Sequence, residues 1–153
     1  MKFKKETWLF AGITSLVVLL DQILKLLVLK FQPSWQFWFI YVDFIQNTGA
    51  GFGILKGHTL ALGIISLIVT LAILIFYKKF PKDWLFQVLL ALFLGGTVGN
   101  LIDRLGRSYV IDYLGTTFWP AFNLADACIT VATIGLILYL IREEIKIRKL
   151  NKK

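Results

Sequence analysis

Four apolar runs, at about 7–29, 58–77, 83–102 and 121–141, set the terms on which this chain folds. Each is close to the ~20 residues that an α-helix needs to cross a hydrocarbon core. Lipid offers no partner to a peptide group, so a run of this kind must close its hydrogen bonds within itself, as a helix. The chain has only 153 residues, and 58% of them are hydrophobic, against roughly 45–50% in soluble domains. The expected architecture is therefore an all-α membrane fold of four transmembrane helices with a small extracytoplasmic β element. Residues 1–153 form one integral-membrane domain, with little left over for a soluble one.

Charge orients the spans. Basic residues gather at Lys2, Lys4 and Lys5, at Lys78, Lys79 and Lys82, and at Arg142, Lys146, Arg148, Lys149, Lys152 and Lys153. The positive-inside rule puts both termini and the 78–82 link in the cytoplasm. The net charge of +8 thus reads as a topology signal with lipid headgroup contact, not as a nucleic-acid surface, for which no motif is present. The first run begins like a signal peptide but continues to Lys30 without a small-x-small cleavage site, so it is expected to stay as an anchor. Cys128 is the only cysteine, which excludes an intramolecular disulfide framework.

In this topology the polar residues of the spans collect at one side. Asn100, Arg104, Asn123 and Asp126 fall at one depth near the outer interface, with Asp126 ~9 Å along its helix. Asp21 and Lys25 occupy the outer half of the first span. An ionisable group within a bilayer costs ~2.5–3.5 kcal/mol or more at the helix centre, and scattered structural polar groups would not be drawn to one face. The external segment 31–57 is rich in aromatic and β-branched residues and carries Pro33, Gly49, Gly51 and Gly53. It reads as strand-like chemistry ending in a tight turn, either an aromatic belt or a platform for an amphiphilic substrate. Asp112 lies in a second external stretch too short to span, hence in a strand or loop beside the membrane mouth.

Several chemistries are disfavoured by the residues themselves. His58, the single histidine, stands at a span end, so no serine–histidine pair is in prospect. Cys128 has no base nearby and reads as a small buried apolar residue. No His, Cys or Glu cluster has metal-ligand spacing, and no phosphate loop follows the glycines; no cofactor is expected. Asp21 and Lys25, at i,i+4, form an intramembrane ion pair with an organising role. Arg104 is the natural partner for an ionised carboxylate or for a substrate phosphate or carbonyl. What remains is the carboxylate pair Asp112 and Asp126. Side by side they would share one proton, the arrangement that activates water against an amide carbonyl.

At these residues the chain resembles the lipoprotein signal peptidases (signal peptidase II), intramembrane aspartyl proteases of bacteria. The matching pieces are Asp21-Gln22 with Lys25, Asn47-Thr-Gly-Ala-Gly-Phe52, Gly99-Asn-Leu-Ile-Asp-Arg104, Val110-Ile-Asp-Tyr113 and Phe122-Asn-Leu-Ala-Asp126. The resemblance implies Asp112 and Asp126 as the catalytic pair and Asn100, Arg104 and Asn123 as polar groups that order the site. It implies that Asp21 and Lys25 support the site from the first span, and that Asn47 and Gly49 belong to a turn closing over substrate. The implied substrate is a diacylglyceryl-modified prolipoprotein, cut just before the lipidated cysteine. The implied inhibitor is the cyclic peptide globomycin, and the implied location is the cell membrane with the site near the outer face. Gly51 stands where alanine is more usual and Tyr113 where phenylalanine is.

A small proton- or ion-coupled transporter is the alternative from another class. It requires polar residues along the full depth of the spans, whereas 64–76 and 134–140 are almost wholly apolar. A structural membrane scaffold would leave the register of Asp112, Asn123 and Asp126 without a reason.

Overall fold

The computed structural model describes residues 5–51 and 54–151. Lys2, Lys4, Phe52, Gly53, Lys152 and Lys153 lie outside the described residues. Four long helices, α1 (Lys5–Phe31), α2 (Thr59–Phe76), α3 (Trp84–Arg107) and α4 (Leu124–Leu150), are joined with four short strands, β1 (Ser34–Phe37), β2 (Ile40–Asn47), β3 (Val110–Thr116) and β4 (Trp119–Phe122). Each of the four helices is long and apolar enough to cross a membrane.

α1, α3 and α4 run past the ends of their apolar runs, while α2 stays within its own. The fourth run begins in β4, so Asp126 sits in the first turn of α4 and not two turns along it. In α4 the polar tail stays helical because its charges pair along the helix, Arg148 with Glu144 at 2.7 Å and Lys146 with Glu143 at 3.8 Å. At ~1.5 Å per residue this helix is ~40 Å long. α3 continues past Asn100 to Arg107 and stops where Ser108 turns left-handed (φ 64°). Asn100, Asp103, Arg104 and Arg107 are therefore all carried on one rigid helix.

α3 is the hub. Its most apolar window is 67% buried, against 11% to 22% for the other three helices, whose apolar faces are left to lipid. Glycines let it approach its neighbours closely. A Cβ at Gly99 would lie 2.6 Å from Asp21 Oδ2 on α1, and one at Gly96 would meet the Ala125 carbonyl of α4. At the end away from the strands, Phe10, Ile73, Phe86, Leu90, Ala91 and Leu94 form an apolar core. There Asp83 caps α3 by accepting from Phe86 N–H at 3.0 Å and receives the Tyr139 hydroxyl of α4 at 2.5 Å.

The strands form one antiparallel sheet in the order β1-β2-β3-β4. The 31–57 segment supplies a hairpin, turned at Trp38 (φ 57°) and Phe39. This hairpin does not stand alone: β2 pairs with β3, placing Ile45 opposite Asp112 and Asn47 opposite Val110, after an irregularity between Val42 and Ile45. The two segments between helices thus become a single sheet that carries Asp112 as part of a strand.

Candidate active site

The site is built around the first turn of α4. A helix N-terminus presents N–H groups without intrahelical partners, and side chains answer three of them here. Leu124 N–H donates to the Tyr113 hydroxyl at 3.1 Å, Ala125 N–H to Asp21 Oδ1 at 3.1 Å, and Asp126 N–H to Asn123 Oδ1 at 2.9 Å. Asp126 returns the contact by accepting from Asn123 N–H at 3.3 Å, completing a capping box. One helix end thereby fixes Asp126, Asn123, the Asp112–Tyr113 strand and α1 relative to each other.

Three asparagines aim their amide N–H groups at the two carboxylates. Asn47 donates to Asp112 Oδ2 at 2.8 Å, Asn123 to Asp112 Oδ1 at 2.8 Å, and Asn100 to Asp126 Oδ1 at 2.7 Å. Each amide is oriented by a donor on its own oxygen: Gly49 N–H on Asn47 at 2.9 Å, Asp126 N–H on Asn123, and the Lys25 ammonium on Asn100 at 2.9 Å. Asn123 also donates to Asn100 Oδ1 at 3.2 Å, so the two carboxylates are bridged through a pair of amides.

Beneath this layer lies a buried charge cluster. Lys25 pairs with Asp21 at 2.8 Å and with Asp103 at 3.0 Å, all three side chains wholly buried. Arg107 pairs with Asp103 from the rim. A buried ammonium without such partners would be prohibitively costly; with two carboxylates and an amide oxygen on it, its donors are satisfied.

Asp112 is 2% exposed. Burial, followed by repulsion from Asp126, raises its carboxyl to about 7, against the pull of Asn47, Asn123 and Lys25. Burial likewise pushes Tyr113 up to about 12, which keeps its hydroxyl protonated. Their mutual repulsion thus disfavours double ionisation of the two aspartates.

Arg104 departs from the sequence expectation in one respect: among the described residues it has no carboxylate partner within ion-pair distance. Its guanidinium makes only 3.5 Å contacts, to Ser66 Oγ and the Gly49 carbonyl, and its buried Nε has no hydrogen-bond partner. It lines a groove of about 430 Å³ together with Asn47, Gly51 and Asp126, opposite an apolar wall of Trp119, Pro120, Phe122, Ala127 and Val131. Gly49 packs against the far side of its own loop, where a Cβ would fall 2.7 Å from the Ile54 carbonyl. Among the described residues no group of three or more His, Cys, Asp or Glu is placed to hold a metal ion.

A family described as signal peptidase (SPase) II matches residues 13–142. The chain belongs to the signal peptidase II family. It is 39% identical over 137 residues to the lipoprotein signal peptidase of Halothermothrix orenii, covering 86% of this chain and 94% of that one. It is 42% identical over 145 residues to that of Burkholderia thailandensis, covering 85% and 84%. A bacterial membrane enzyme solved in meso at 2.3 Å superposes with a TM-score of 0.81 at 30% identity, covering 88% of both chains. The chain is accordingly an aspartic endopeptidase of signal peptidase II type and a multi-pass membrane protein.

Within this signal peptidase II the structure brings together all nine residues singled out from sequence: Asp21, Lys25, Asn47, Gly49, Asn100, Arg104, Asp112, Asn123 and Asp126. Four others belong to the same network without having been given a role from sequence: Arg107, and Gln22, Asp103 and Tyr113, which lie within the matching motif pieces. Asp103 and Arg107, at i,i+4 near a helix end, look like an ordinary surface pair. The available signal was that Asp103 follows Gly99 by four residues and so shares the face that approaches α1.

Proposed function

We propose that this signal peptidase II removes the signal peptide from diacylglyceryl-modified prolipoproteins, cutting the bond before the lipidated cysteine, with Asp112 and Asp126 as the catalytic pair. The observation that carries the reading is the convergence of three amide donors on two carboxylates, Asp112 buried and Asp126 lining a groove with apolar side chains. One carboxyl of the pair is protonated and one ionised. The ionised member takes a proton from a water whose oxygen attacks the scissile carbonyl carbon. The protonated member donates to the carbonyl oxygen. The tetrahedral species then collapses, the C–N bond breaks, and the cysteine amine leaves with a proton from the pair.

The remaining residues have roles consistent with their contacts. The Arg104 donors are available to substrate carbonyls. Asn47 and Gly51 of the 47–51 turn line the groove, and the apolar side chains of Trp119, Phe122 and Val131 suit acyl chains. A diacylglyceryl group would pin the cysteine at headgroup level, lowering the orientational cost of reaction. Both termini are cytoplasmic and the site is near the outer face of the cell membrane, where a globomycin-type cyclic peptide would compete for the groove.

The test uses the purified protein in lipid with a diacylglyceryl peptide, its unlipidated twin, and the Asp112→Asn and Asp126→Asn variants. Cleavage before the lipidated cysteine is expected for the first peptide only, and loss of turnover in either folded variant. Equal rates on both peptides would remove the lipoprotein specificity; turnover by either variant would remove the pair.

A further inference from the structure

The strand that carries Asp112 is incompletely paired where it matters most. On one edge β3 pairs with β2 along its length except at the irregularity beside Tyr113, with Ile111 opposite Gln46. On the other edge β4 reaches only as far as Leu114, opposite Phe122. In an antiparallel strand the N–H and C=O of one residue point off the same edge, and an unanswered buried pair there is costly. At Ile111, which is wholly buried, both groups are taken by side chains in place of a strand. Its N–H donates to Asp103 Oδ2 at 3.1 Å and its carbonyl accepts from Asn123 at 3.3 Å.

We infer that Asp103 is a positioning residue for catalysis, standing in for the missing strand at Ile111 and thereby fixing the depth of Asp112 against Asp126. The inference rests on the proposed roles of those two aspartates. Asp103 is suited to the task because it is held on both oxygens. Oδ2 also receives Lys25 at 3.0 Å, while Oδ1 receives Arg107 and, at 3.2 Å, Gln22. Gln22 is in turn anchored on the Gly99 carbonyl at 3.1 Å and accepts from Arg107 at 3.3 Å. One carboxylate therefore ties α1, α3 and β3 together without entering the groove or touching Asp112 or Asp126. The charged groups about it and the catalytic pair are Asp21 and Lys25 on α1, Arg104 and Arg107 on α3, Asp112 on β3 and Asp126 on α4.

The experiment compares wild-type protein with Asp103→Asn and Asp103→Glu on the diacylglyceryl peptide, with thermal unfolding in detergent run alongside. An asparagine cannot accept from Ile111 and Lys25 on one side and from Arg107 and Gln22 on the other. The expected result is a fall in kcat of about ten- to a hundredfold with KM nearly unchanged, because the displaced group acts only at the reacting bond. Removing one buried negative charge while Lys25 remains should also move the alkaline limb of the pH–rate profile to lower pH. Asp103→Glu, which keeps the charge, should leave that limb in place. If Asp103→Asn does not fold, Arg107→Gln, which frees Asp103 from the rim, should show the same kcat-specific loss in smaller measure. A wild-type kcat and pH profile in folded Asp103→Asn would overturn the inference, as would a loss that only follows the folded fraction. So would an unchanged Arg107→Gln where Asp103→Asn cannot be made. Asp112→Asn run in parallel separates the two ideas: if it cleaves, the catalytic pair itself is wrong.

Discussion

A carboxyl group raised to about 7 is poised where a small change of pH alters its charge, and Asp112 is such a group. Its shift is upward, so it carries its proton below that pH and gives it up above. Below the transition the pair holds one proton and one charge, and an acid is present for the carbonyl oxygen. Above it both members are anionic and the acid is lost. Cleavage of the diacylglyceryl peptide is therefore expected to fall as pH rises through about 7, and the limb belongs to the pair, not to one member. A rate that stays level to strongly alkaline pH would contradict this. At this scale the sequence was a good guide to which residues the fold gathers in one place, since a carboxylate in an apolar run has few uses. It was a poor guide to their contacts. Asn47 entered through a family motif alone, because an asparagine before a glycine-rich turn is the ordinary chemistry of turns. For Arg104 the sequence left open a carboxylate or a substrate group as partner, and among the described residues no carboxylate lies within ion-pair distance of it.

Among the elements, the first turn of α4 is the most heavily constrained. Tyr113, where phenylalanine was the expected residue, adds a hydroxyl that takes the Leu124 N–H at 3.1 Å. Tyr113→Phe should remove one hydrogen bond of the kind worth ~0.5–1.5 kcal/mol. A lowered Tm in detergent with cleavage retained is the expected outcome. A Tm equal to wild type would mean that water or a shift of the helix replaces the bond. The helices themselves were legible because the length of an apolar run is nearly a direct readout of a span. The sheet was legible only as strand chemistry. Nothing local in 40–47 names 110–116 as its partner, because the pairing is set by α2 and α3 carrying the chain out and back. Asp103 was hidden for the same reason: its role depends on where β4 stops.

For the whole molecule, the charge argument makes a prediction that geometry alone does not. Tags at both termini should report cytoplasm, and a cysteine placed at Gln36, exposed on β1, should react with an impermeant reagent from outside. The opposite labelling would reverse the orientation assigned to the site. The hub position of α3 explains how four helices share one polar site: one helix contributes Asn100, Asp103, Arg104 and Arg107, and the others are packed on it.

The pairing of β2 with β3 also has a consequence for the birth of the protein. Asn47 and Asp112 are 65 positions apart and hydrogen-bonded, and two membrane crossings lie between them. A chain still emerging can export its hairpin early, but the strand bearing Asp112 arrives only after α3, and Asp126 later still. Synthesis order thus imposes a delay on competence: on the proposed roles, a chain cut off before α4 lacks one of the two carboxylates.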